Sequence, residues 1–119
     1  MIFNNLEDLF QFFVNEYIKP GDKVLILNYY NENLKKMIEF IDSEPFFVYN
    51  KYLPGIDITC DYCNLPFEQD SFDNIINFTN NYNLFEYLKK DGVILINDEI
   101  LNEFNYYYLN SNVYTILKK

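Results

Sequence analysis

The chain has 119 residues, half of them hydrophobic, with twelve Phe, twelve Tyr and no Trp or His; this excludes a disordered segment and leaves no Ser-His or Cys-His pair for nucleophilic catalysis. Eighteen Asp and Glu against nine Lys and Arg give a net charge of −9, which repels phosphate backbones and anionic lipid and speaks against direct nucleic-acid binding. No run approaches the roughly 20 apolar residues of a membrane span. Met1 to Asn5 carries neither the basic stretch nor the apolar run of a signal peptide, so a cytosolic location with both cysteines reduced is expected.

No linker or repeat interrupts residues 1–119, which read as a single domain. Residues 5–18 place Leu6, Leu9, Phe10, Phe13, Val14, Tyr17 and Ile18 at helical spacing, with Asn5 as N-cap and Glu7-Asp8 in the first turn. Pro20-Gly21 ends that helix. Val24, Leu25, Ile26 and Leu27 are consecutive apolar residues, the pattern of a strand buried on both faces of a parallel sheet. Leu34, Met37, Ile38 and Ile41 return to helical spacing over 31–41. Phe46 to Tyr49 and Ile56 to Thr59 are further strands. Only residues 51–55 separate them, which predicts an antiparallel hairpin unless one of the two is not a strand, because parallel neighbours need a crossover of about a dozen residues. Phe72 to Phe78 and Gly92 to Ile96 follow as strands, with up to two turns of helix at Tyr82 to Lys90. Asn105 to Leu109 and Val113 to Leu117 read as a hairpin. The pattern is an α/β sheet, parallel except for its last strand.

Cys60-x-x-Cys63 has the spacing of a zinc half-site, but with no His and no second cysteine pair one chain does not complete a tetrahedral set, so no metal is expected. Asp70 and Asp73 are expected to shape the turn before the fourth strand, and Asp98-Glu99 to cap a helix after the fifth.

Three stretches carry a family resemblance. Pro20-Gly21-Asp22-Lys23-Val24-Leu25-Ile26-Leu27 is similar to the approach to the first strand of a class I S-adenosylmethionine-dependent methyltransferase. Asp61-Tyr62-Cys63-Asn64-Leu65-Pro66-Phe67, followed by Asp70-Ser71-Phe72-Asp73-Asn74-Ile75-Ile76, resembles the family segment with an acid, Leu-Pro-Phe and then Ser-Phe-Asp. Leu88-Lys89-Lys90-Asp91-Gly92-Val93 resembles the family's Leu-Lys-Pro-Gly-Gly approach to the fifth strand. The resemblance implies a Rossmann-like sheet of seven strands, six parallel and one antiparallel, holding S-adenosylmethionine beyond the carboxyl ends of its first strands. It places cofactor contacts at Asn28 and Tyr62, at Asn50 or Asp57 for the ribose, and at Asp61 for the adenine amino group.

The chain departs from the family pattern at those positions. After the first strand the family has an acid and a Gly-x-Gly turn; here stand Asn28-Tyr29-Tyr30-Asn31-Glu32-Asn33, with no glycine where the backbone must approach the cofactor. Tyr29 and Tyr30 are expected to fill the methionine pocket. Asn50 is neutral and offers one acceptor oxygen where a ribose-binding carboxylate offers two. Helices are trimmed, leaving one sheet face to the short segments 82–90 and 98–104, too little to shield residues drawn from Ile75, Phe78, Val93 and Leu95. These features describe a degenerate, non-catalytic methyltransferase-like domain acting as an assembly or regulatory subunit, as a homodimer or beside a full-length methyltransferase. The alternative is an active minimal methyltransferase.

Overall fold

A computed structural model describes residues 2–80, 84–97, 105–109 and 112–119, with 105–109 as backbone. Helix α1 (Leu6–Tyr17) begins where Asn5 accepts the N–H of Asp8 at 2.8 Å, and α2 (Glu32–Phe40) where Asn31 accepts that of Leu34 at 3.0 Å. Both caps satisfy amides that a helix start leaves unpaired. The strands are β1 (Lys23–Leu27), β2 (Glu44–Tyr49), β3 (Ile58–Thr59), β4 (Phe72–Asn77), β5 (Leu88–Ile96), β6 (Asn105–Leu109) and β7 (Asn112–Lys118). They form one sheet in the order β3-β2-β1-β4-β5-β7-β6, with β7 antiparallel to β5 and β6 and the remaining pairs parallel. The expected mostly parallel sheet with a C-terminal antiparallel hairpin is therefore present.

Residues 46–50 and 56–60 are not the antiparallel hairpin that their short connection predicts. β2 and β3 run parallel, with Val48 beside Ile58 and Tyr49 beside Thr59. A long crossover is needed to return the length of a full strand, whereas β3 is two residues long and the chain returns only about 7 Å. Asp57 makes the short return possible: its N–H donates to the Phe47 carbonyl at 2.9 Å and its carboxylate accepts the Phe47 N–H at 2.8 Å. One residue thus supplies a rung of the ladder with its side chain.

Burial divides the sheet by parity. Val24, Ile26, Phe47, Ile76, Val93 and Leu95 pack beneath α1 and α2, while Leu25, Leu27, Val48, Ile75, Ile94 and Ile96 form a second cluster on the other face. Val93, Leu95 and Phe78 therefore belong to the helix-covered side and not, as expected, to the trimmed one; a run of four apolar residues carries no phase from which to choose. The second face has no α-helix against it among the described residues. Leu65, Phe67 and Tyr62 from the extended segment before β4, together with Leu84 and Tyr87, cover it, and Leu25, Leu27 and Ile75 are fully buried.

The helix expected over 82–90 is instead, within the described residues, a single 3-10 turn at Phe85–Tyr87, followed directly by β5. β5 begins at Leu88 and passes an irregularity at Asp91 (φ 67°) before Gly92. Gly92 lies against β4 so closely that a Cβ there would stand 2.7 Å from the Asp73 carbonyl and 2.6 Å from the Leu88 side chain. Segment 98–104, with the cap expected at Asp98-Glu99, lies outside the described residues.

Gly92→Ala is expected to destabilise the domain by about 2–3 kcal/mol, through overpacking against backbone that has no room to yield. Gly21→Ala, at φ 88° with nothing within 4 Å of the added methyl, is expected to lose only about 1 kcal/mol, the strain of a left-handed residue. Urea denaturation of the two variants measures the difference.

Candidate functional site

Ligands of open α/β sheets sit beyond the carboxyl ends of the strands, at the point where the strand order reverses. Here that point lies between β1 and β4. Asn28 follows β1, and Phe78, Thr79 and Asn80 follow β4; with Asp61, Tyr62 and Cys63 they line an open cleft of 580 Å³.

Asn28 adopts φ 62°, the left-handed conformation that Asn tolerates better than most residues. Its N–H donates to the Val48 carbonyl at 3.0 Å and its side-chain Nδ2 to the Phe78 carbonyl at 2.9 Å. Its remaining oxygen accepts the Tyr62 hydroxyl at 3.0 Å, and that hydroxyl oxygen accepts the N–H of Asn50 at 3.1 Å. One phenol therefore bridges the ends of β1 and β2. Burial raises the Tyr62 pKa above its usual value, partly offset by the Asn50 N–H.

Asp61 lies at the cleft, where its Oδ1 accepts the Cys63 N–H at 2.9 Å and its carbonyl accepts the Asn64 N–H at 3.0 Å, fixing a tight turn. Asn50 is exposed at the end of β2 and reaches the cleft through its N–H and Tyr62. Asp57 does not line the cleft; its carboxylate is engaged at Phe47. Sequence reasoning brought Asn28, Asp61 and Tyr62 to one place but missed the β4 end. There Asn77 is fully buried and accepts both the N–H (2.9 Å) and the hydroxyl (2.6 Å) of Thr79. The available signal was Asn77, an amide directly after the apolar pair Ile75-Ile76 and buried in the fold.

Tyr29 and Tyr30 do not enter the cleft. Tyr29 stacks on Phe78 (centroids 4.9 Å apart) and tilts against Phe10 on the helix side, and burial raises its pKa. Tyr30 stands edge-on to Phe47 and over Gly55, with its hydroxyl 2.6 Å from Glu32; that bond raises the phenol pKa and lowers the carboxyl pKa. Aromatic partners on the helical face outbid the polar cleft for both rings.

No family profile and no curated protein matches this sequence. Solved structures do match its shape. A Methanococcus maripaludis protein described as an S-adenosyl-L-methionine-dependent methyltransferase superposes with a TM-score of 0.70 at 10% identity, over 95% of this chain and 84% of that one. The 1,6-didemethyltoxoflavin-N1-methyltransferase of Burkholderia thailandensis, solved with 1,6-didemethyltoxoflavin and S-adenosylhomocysteine, gives 0.58 at 12% identity, over 92% of this chain and 60% of that one. The fold is that of the class I S-adenosylmethionine-dependent methyltransferases.

Within that fold the residues present do not fit the methionine and ribose parts of the cofactor. The turn after β1 has no glycine, the end of β2 has no carboxylate, and Tyr62 joins the two. Among the described residues no three His, Cys, Asp or Glu side chains converge as a metal site, and no helix is long and apolar enough to cross a membrane.

Tyr62→Phe is expected to lower stability by about 1 kcal/mol, the loss of a bridging hydroxyl. The raised phenols of Tyr29, Tyr62 and Tyr114 also set a pH dependence. The folded state holds these protons more tightly than the unfolded chain, so their contribution persists below the ordinary value of 10.0 and is lost as pH rises through the higher folded values. Urea midpoints should fall as pH rises past about 10, alongside the tyrosinate absorbance.

Proposed function

We propose that this chain is a degenerate methyltransferase-like domain that carries out no methyl transfer of its own and acts as an assembly or regulatory subunit, paired with itself or with a full-length methyltransferase. The observation that carries this reading is the Tyr62 bridge. A cofactor lying across the ends of β1 and β2 would have to replace the bonds from Tyr62 to Asn28 and from Asn50 to Tyr62, and would find neither a glycine turn nor a ribose carboxylate in return. Removing such bonds without replacing them leaves polar groups unpaired. A cytosolic location belongs to this reading, on the two free thiols Cys60 and Cys63.

A second reading is an active minimal methyltransferase. It draws on the cleft of 580 Å³ that remains open beside Asp61 at the point where this fold takes ligands. Substrate chemistry is not assigned under either reading.

Titration calorimetry with S-adenosylmethionine and S-adenosylhomocysteine separates the two. Binding of both weaker than about 10 μM, roughly −7 kcal/mol, is expected. Tighter binding of either would favour the active enzyme.

A further inference from the structure

We infer that the open edge at β6 is a self-pairing surface, at which two copies of this chain join as an antiparallel, two-fold strand pair. Among the described residues β6 ends the sheet on its side and pairs with β7 alone. Parity decides which of its backbone groups face outward. Lys119 donates its N–H to the Gly92 carbonyl at 2.9 Å, so Lys119, Leu117 and Thr115 turn their backbone groups toward β5, and Ile116, Tyr114 and Asn112 turn theirs toward β6. The β6 partners of the latter three are Asn105, Tyr107 and Leu109. The N–H and C=O of Tyr106 and Tyr108 consequently point to the open edge.

These two residues are complementary to themselves under a two-fold axis. With the axis at Tyr107, Tyr106 of one copy stands opposite Tyr108 of the other. Each outward N–H then meets an outward C=O, in the alternation that an antiparallel ladder requires.

Charge selects a second copy as the occupant. The chain carries a net −9, yet residues 104–117 are its longest stretch without a charged residue, so two copies meeting at β6 bring no carboxylate against a carboxylate along the paired strands. Edges that must stay single are guarded by Lys, Pro, a bulge or shortness. Asn105–Leu109 contains no charged residue and no Pro, and its register with β7 is unbroken over five pairs. The inference stands apart from the question of cofactor binding, because β6 lies at the far side of the sheet from β1 and β2.

Sedimentation equilibrium at micromolar concentration tests it, with Tyr108→Pro as the decisive variant. Proline there removes an outward N–H and no bond to β7, the edge position a sheet tolerates. The wild type should sediment at twice 14.4 kDa, Tyr108→Phe likewise, and Tyr108→Pro at half the wild-type mass with unchanged far-UV circular dichroism. Should the proline variant lose its fold, hydrogen exchange on the wild type decides: the Tyr106 and Tyr108 amides should slow as concentration rises. A wild type that stays at 14.4 kDa, a folded Tyr108→Pro that remains dimeric, or amides indifferent to concentration would each overturn the inference.

Discussion

A mostly parallel sheet must keep water from both of its faces, and α1 and α2, the two α-helices among the described residues, both lie on one of them. The other face is closed by extended chain. Leu65, Phe67 and Tyr62 share one apolar cluster with Leu25, Leu27 and Ile75, joined by Leu84 and Tyr87 from beyond β4. That solution keeps the apolar strands dry but draws a tyrosine to the carboxyl ends of β1 and β2. The hydroxyl there binds Asn28 and Asn50 because it is partly buried and must find partners. The Tyr62 bridge between the ends of β1 and β2 thus follows from how the trimmed face is covered.

The same residues explain why the β1 turn works without glycine. The family turn needs a left-handed residue, and Asn28 supplies it while its amide fastens the Phe78 carbonyl and the Tyr62 hydroxyl. The turn is held by side-chain bonds at the carboxyl ends of β1 and β4. Asparagines follow or end β1, β2, β4 and β5 at Asn28, Asn50, Asn77 and Asn97, neutral amides along the rim where ligands of this fold gather. Asp61 is the one carboxylate lining the cleft among the described residues.

What was legible in the sequence was local. The cap at Asn5, the helical stretch from Asn31, the doubly buried β1 and the β6–β7 hairpin depend on neighbours within a few residues, and they stand where the pattern puts them. The Leu-Pro-Phe and Ser-Phe-Asp segment likewise pointed to the right fold. What was not legible depended on distant partners. The parallel β2–β3 pair rests on Asp57 reaching Phe47, Gly92 presses against Asp73 across the sheet, and the faces of Val93 and Leu95 follow from a register that four apolar residues in a row leave undefined. Tyr29 and Tyr30 chose Phe78 and Phe47 over the cleft for the same reason: their partners are brought near by the fold and not by the sequence.

The brevity of β3 bears on how far such a sheet can grow. Two residues, preceded by Pro54 and a left-handed Gly55, give an incoming strand almost nothing to template on, whereas β6 at the opposite border spans five. A sheet with one receptive border and one blunted border has no head-to-tail mode of propagation. Strand addition at β6 would therefore terminate after a single event, which would keep an aromatic-rich, uncharged ribbon from seeding a fibril.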